Sequence, residues 1–253
     1  MKSLFRKAIL LLIIGCLVIG GTYLGYRWIQ KRQFEQEVLS AIQTKDSVER
    51  LRLEAALRDT RPKETLNVLL ATLDSSDPKL RNQAALGLLL YHEHLTDHTR
   101  VIIKHLLTDS ERGVRLSCAI VLMWVKTPEV EQAYIQALQD KDEKVVQIAL
   151  PELGYCKNAA ANSAVFTMLS HSSWRVRLEA CKALITSGAA DDRVVSTLEA
   201  MQKEEEAKVY DAESAEFDRM EKEAARPGDP PIGHWGNLEE ILNRARSIAS
   251  KHP

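Results

Sequence analysis

The chain has no surplus of charge. Its 34 Lys and Arg face 35 Asp and Glu, a formal net charge of -1 over 253 residues. That balance excludes the global basic field by which nucleic-acid binders hold phosphate backbones, so no nucleic-acid partner is expected. Cysteine is scarce. Of four residues, Cys118, Cys156 and Cys181 stand beyond the N-terminal apolar stretch. Three is an odd number, so at least one thiol has no mate and no disulfide framework is indicated. Two of them fall on helix faces expected to be buried, where Cys acts as a small hydrophobe. The short motifs of common chemistries are missing too. There is no G-x-S-x-G, no P-loop, no dinucleotide fingerprint and no H-E-x-x-H.

What is present begins with a charge-free run. Lys2, Arg6 and Lys7 precede Ala8 to Tyr26, which carries no charged residue. At 1.5 Å per residue this is roughly 28 Å, close to a bilayer core. Tyr23, Tyr26 and Trp28 stand where interfacial aromatics would, and Arg27, Lys31 and Arg32 end the run. Residues 8–28 therefore read as a single transmembrane anchor. The rivals are a cleaved signal peptide, without an evident A-x-A site, and a lipoprotein signal. Ile13-Ile-Gly-Cys16 resembles a bacterial lipobox, but ten further apolar residues follow where a polar tether would be normal. Gly21 and Gly25 have the small-xxx-small spacing that lets two spans pair as a homodimer.

Beyond the span, four segments repeat. They are Leu80 to Leu88, Val114 to Leu122, Val145 to Leu153 and Val176 to Leu184, starting 34, 31 and 31 residues apart. Ala84, Cys118, Ala149 and Ala180 are equivalent, as are Leu88, Leu122, Leu153 and Leu184. First, middle and last positions share one helix face, with a small residue at the centre. Asp77, Glu111, Asp142 and Ser173 stand three residues before each copy, near the expected helix start. A partner helix precedes each: Thr65 to Leu73, Val101 to Leu107, Glu129 to Leu138 and Ala161 to Leu169. A weaker copy runs from Leu51 to Leu57. Pro151 interrupts the third copy and should bend its helix.

The pattern D-x-x-V-R-x-x-A-x-x-A-L, read in Asp77 to Leu88 and its copies, resembles the HEAT repeat family. It is closest to the short bacterial variety also seen in phycobilisome lyase-like proteins. The resemblance covers about half the chain. It implies an all-α fold, a right-handed α-solenoid of HEAT-like helical hairpins, here preceded by one transmembrane helix. The expected division is a short tail (1–7), the anchor (8–28), membrane-proximal helices with a degenerate capping repeat (29–60) and HEAT-like repeats (61–190). A long acidic helix (191–225) and a Pro/Gly break with a C-terminal helix (226–253) complete it.

Candidate site residues are few. Arg81, Arg115 and Arg177 recur at one helical position, broken by Val146, and form a ladder. Pairing with Asp77, Asp109, Glu111 or Glu179 is the plain reading of that ladder, and a binding stripe is the sharper one. Trp174 stands where turn residues lie in other copies and is a candidate anchor for a bound protein. His94 and His98 are weak metal candidates in the cluster from Tyr91 to His98. A polar inter-repeat loop without a ligand is the plainer reading.

These observations lead to an expectation of a membrane-tethered protein-binding scaffold or adaptor in a bacterial envelope complex. Its location would be the inner membrane, single-pass, with the soluble domain in the periplasm or, in the opposite orientation, in the cytoplasm. The partners would be another protein and, through residues 8–28, the phospholipid bilayer. No enzyme activity and no cofactor are expected. The alternatives are a structural accessory subunit of a membrane complex and, from the resemblance alone, a bilin lyase-like enzyme.

Overall fold

The computed structural model describes residues 24–44, 46–224 and 235–251, all of its regular structure helical. The chain divides into two compact units, Met1–Tyr91 and His92–Pro253.

In the first unit, helix α1 spans 24–43, followed by α2 (Ser47–Thr60), α3 (Pro62–Thr72) and α4 (Pro78–Gly87). Helix α1 buries Phe34, Val38, Ala41 and Ile42, a stripe at helical spacing. It also carries Arg27, Lys31, Arg32, Glu35 and Glu37. That is the pattern of a helix with one core face. Among the described residues, no helix is long and apolar enough to cross a membrane. This corrects the expected anchor at 8–28, and with it the membrane tether, the bilayer as partner and the single-pass inner-membrane location. Most of that segment, including Cys16 and Gly21, lies outside the described residues. Gly25 is exposed on α1. In α4, Asp77 accepts from the Lys79 amide and Pro78 opens the first turn, as the Asp-Pro start leads one to expect.

The second unit stacks helical hairpins. They are α5 (Thr99–Thr108) with α6 (Arg112–Leu122), α7 (Pro128–Ala137) with α8 (Glu143–Cys156), and α9 (Ala159–Thr167) with α10 (Trp174–Ser187). The first helices of the later pairs are capped by side chains, Thr127 for α7 and Asn158 for α9. Asp142 caps α8. The central small residues Cys118, Ala149 and Ala180 are fully buried, as are Leu122, Leu153 and Leu184. Each such leucine stabilises the stack by roughly 1.5–3 kcal/mol. Helix α8 runs through Pro151. It ends at Lys157, which holds a left-handed φ of 51° without being glycine.

The stretch expected as one long acidic helix is two. Helix α11 covers Asp192–Met201 and α12 covers Glu205–Ala224. The chain turns at Gln202 to Glu204, where Glu204 is drawn to Arg177. Helix α13 (Leu238–Ala249) starts at the Asn237 cap and buries Leu238, Ile241, Leu242 and Ala245, folding back onto α10 and α11.

Candidate functional site

The arginine ladder is built into the scaffold. Arg115 is 3% exposed. Its Nε and Nη2 donate to the two carboxylate oxygens of Asp140 at 2.7 and 2.9 Å, a bidentate pair. Its Nη1 donates to the carbonyls of Asp109 and Ser110, tying the turn before its own helix. Arg177 repeats the device. It donates to the carbonyls of His171 and Ser172 and, through Nη2, to both oxygens of Glu204 at 2.7 Å. Arg81 donates to the carbonyls of Ser75 and Ser76. Each arginine thus clamps its own interhelical turn, and two of them reach an acid of the following hairpin. Those acids, Asp140 and Glu204, lie further along the chain than the partners the spacing suggested. The Asp140 carboxylate raises the Arg115 guanidinium above its ordinary pKa, against the opposing effect of burial.

Val146 leaves no arginine at that position of the third copy. The lock there moves to the other end of the helix, where buried Glu152 pairs with Lys126. Asn158 adds a hydrogen bond of 2.7 Å to Glu131.

Trp174 is 6% exposed. Its ring lies 5.7 Å from that of Tyr210 on α12. Its Nε1 and the Oγ of Ser214, one turn beyond Tyr210, are both buried without a hydrogen-bond partner. The indole therefore seats α12 rather than facing solvent. His94 is exposed and His98 half-buried. Among the described residues, no group of three or more His, Cys, Asp or Glu is placed to hold a metal ion. Burial pushes the thiols of Cys118 and Cys181 up to about 12, so they are not nucleophiles at neutral pH.

The groups that do face solvent are ones the repeat signature did not single out. Trp124 is 62% exposed and Tyr155 is 64% exposed. They stand at equivalent positions, each two residues past the closing leucine of its copy. Trp124, in the turn two residues past α6, continues a ridge of residues four apart on that helix: Arg112, Leu116 and Ile120. The equivalent ridge on α8 is Glu143, Gln147, Pro151 and Tyr155. Every side chain of both ridges is exposed or half-exposed, and Met123 and Ile148 widen the apolar surface. Beneath Tyr155 is a groove of about 420 Å³ lined by Lys126, Pro128, Glu131, Tyr134 and Cys156 among others. Reading the helices by their solvent-facing ridge, not by the buried signature, would have found both aromatics in the sequence.

Comparison with known proteins bears on this architecture. A family model for HEAT repeats matches residues 66–150 and again 131–216, together more than half of the chain. None of the curated proteins compared with it matches. The fold resembles solved structures at low identity. One engineered protein has a TM-score of 0.49 at 15% identity, covering 86% of this chain and 98% of its own. A second has a TM-score of 0.46 at 13% identity, with coverage of 86% and 96%. The Escherichia coli protein YibA has a TM-score of 0.39 at 14% identity, with coverage of 88% and 96%. HEAT-repeat proteins are typically non-catalytic scaffolds, and the spent arginines and bare aromatics fit that role. On the two family-model matches, the chain belongs to the HEAT repeat family.

Proposed function

We propose that this chain is a protein-binding scaffold and that it holds its partner on the bare ridges of α6 and α8. The observation that carries the reading is the pair Trp124 and Tyr155. Two large aromatics are mostly exposed at equivalent positions of neighbouring repeats, Trp124 with its ring 5.1 Å from that of His92. Aromatics of this kind supply much of the energy of protein interfaces. The surrounding residues Leu116, Ile120, Met123 and Ile148 make the patch apolar, while the arginines that a phosphate ligand would want are engaged internally. The test compares the purified chain with a Trp124→Ala/Tyr155→Ala variant as bait in extract from the source cells. A specific protein should be retained by the first and lost from the second, with both baits equally folded by circular dichroism. Equal retention by the two baits sinks this assignment.

A further inference from the structure

The same ridge that is bare on α6 and α8 is covered on α10. There it consists of Trp174, Leu178, Lys182 and Thr186, and the first three are buried. The cover is α12. Its Tyr210 ring lies 5.7 Å from the Trp174 ring, and the Lys182 ammonium stands 5.0 Å from the centre of the Tyr210 ring. Ala207 and Ser214, which share the Tyr210 face of α12, are also buried. One turn along, Arg175 faces the Glu213 carboxylate at 3.4 Å. The outward side of α12 is strongly acidic, with Glu205, Glu206, Glu213 and Glu216. The last repeat therefore carries an acidic amphipathic helix laid on its ridge, with one aromatic inserted between an indole and a lysine.

We infer that the α6 and α8 ridges take a partner of the same kind: an acidic amphipathic helix presenting an aromatic side chain toward Trp124 and Tyr155. This deepens the reading of that face as a protein-binding surface and rests on it. Two relationships support the choice of occupant. The first is continuity, because α8 packs directly against α10 and the bare ridges extend the covered one hairpin by hairpin. The second is charge. Lys126 and Lys157 follow Trp124 and Tyr155 by two residues each, and Lys144 stands at the position equivalent to Arg175. Arg112 opens the α6 ridge. Glu152 is paired with Lys126 and Asp142 with Arg112, so those charges cancel; Lys144 and Lys157 remain exposed, against Glu143 on the α8 ridge and Glu131, which accepts from Asn158 in the groove. A carboxylate flanking an inserted aromatic would meet Lys144 or Lys157 along the α8 ridge, as Glu213 meets Arg175 beside Tyr210 on α10.

The probe is a fluorescein-labelled synthetic peptide of residues 203–222 of this chain, titrated by anisotropy against the full-length protein. Saturable binding is expected. It should weaken about tenfold in the Trp124→Ala/Tyr155→Ala protein, and similarly when the peptide tyrosine is replaced by alanine. It should weaken as well when the peptide glutamates become glutamines, and when salt is raised. Lys182→Ala, under the resident α12, should leave it unchanged. No saturation by about 1 mM overturns the inference. So does binding that Lys182→Ala abolishes and Trp124→Ala/Tyr155→Ala does not, which would mean exchange with α12. So does equal binding of the neutral peptide. A photo-reactive residue at 124 reports separately on the broader reading. If position 124 captures a partner protein while the acidic peptide does not bind, the occupant is wrong and the surface is right.

Discussion

Gly154 of α8 lies against Ala183 of α10 so closely that a Cβ at 154 would stand 2.8 Å from the Ala183 carbonyl oxygen and 2.9 Å from its Cα. The obstructing atoms are backbone, so they cannot rotate away. Here the two helices meet main chain to main chain, and the hydrogen side chain sets how near they come. Elsewhere in a helix Gly→Ala gains about 1 kcal/mol of propensity. Gly154→Ala should do the reverse and destabilise by about 1–3 kcal/mol through overpacking. Urea denaturation measures it, and a raised midpoint would show that α8 and α10 can part without cost.

Arg115 and Asp140 are the second such relationship. Their side chains are almost wholly removed from solvent and joined by two short hydrogen bonds. Removing one partner leaves the other as an uncompensated buried charge. Arg115→Ala or Asp140→Ala should each cost about 3–5 kcal/mol. Arg177→Ala should cost less, about 1 kcal/mol, because its partner Glu204 is well exposed. A double-mutant cycle at 115 and 140 should show strong coupling. Additive losses there would mean that the carbonyl contacts to Asp109 and Ser110, not the ion pair, carry the arginine.

The buried thiols give a pH dependence. Desolvation raises Cys118 from 9.0 to about 12, with Asp109 adding to it. Desolvation likewise raises Cys181 from 9.0 to about 12, with Arg177 opposing it. An unfolded chain ionises these thiols from pH 9 upward while the folded chain does not. Their contribution is therefore complete below pH 9 and lost as pH rises toward 12. The Cys118→Ala/Cys181→Ala variant should lose stability less steeply over that window. Alanine already stands at the position of Cys118 in three other copies, so the cavity is small. Identical slopes for variant and parent, from urea melts at pH 8.5 to about 11, would contradict the assignment.

The hairpins were readable because the residues that make them obey local rules. The small central residues, the closing leucines and the caps at Asp77 and Asp142 lie where the periodicity puts them, whereas Glu111 and Ser173 make no side-chain cap bond. The arginine ladder was readable as a ladder, but Asp140 and Glu204 were not. The contact crosses to the next hairpin, and no sequence interval within one repeat encodes it. The break at Gln202 to Glu204 escaped notice for a related reason. No Gly or Pro marks it, and the Glu204–Arg177 ion pair found there is a tertiary contact. Trp174 stood out as an odd residue in a turn, yet its surroundings depend on Tyr210, 36 residues away. Trp124 and Tyr155 escaped attention because they fall just past the repeated pattern, where only the solvent-side ridge reveals their equivalence. The charge-free run from Ala8 to Tyr26 reads as a span on its length, whereas the described helix over 24–43 carries charges and packs on a protein core.

The measurement that tests the central claim most directly is site-specific photo-cross-linking in the source cells. A benzoylphenylalanine would be placed in turn at 124, 155, 132 and 163. Trp124 and Tyr155 end the bare ridges, whereas Gln132 and Ser163 are exposed on the first helices of their hairpins. The account predicts one discrete protein adduct from 124 and 155 and none of that mass from 132 and 163. Adducts of equal yield from all four positions, or from 132 and 163 alone, would contradict it.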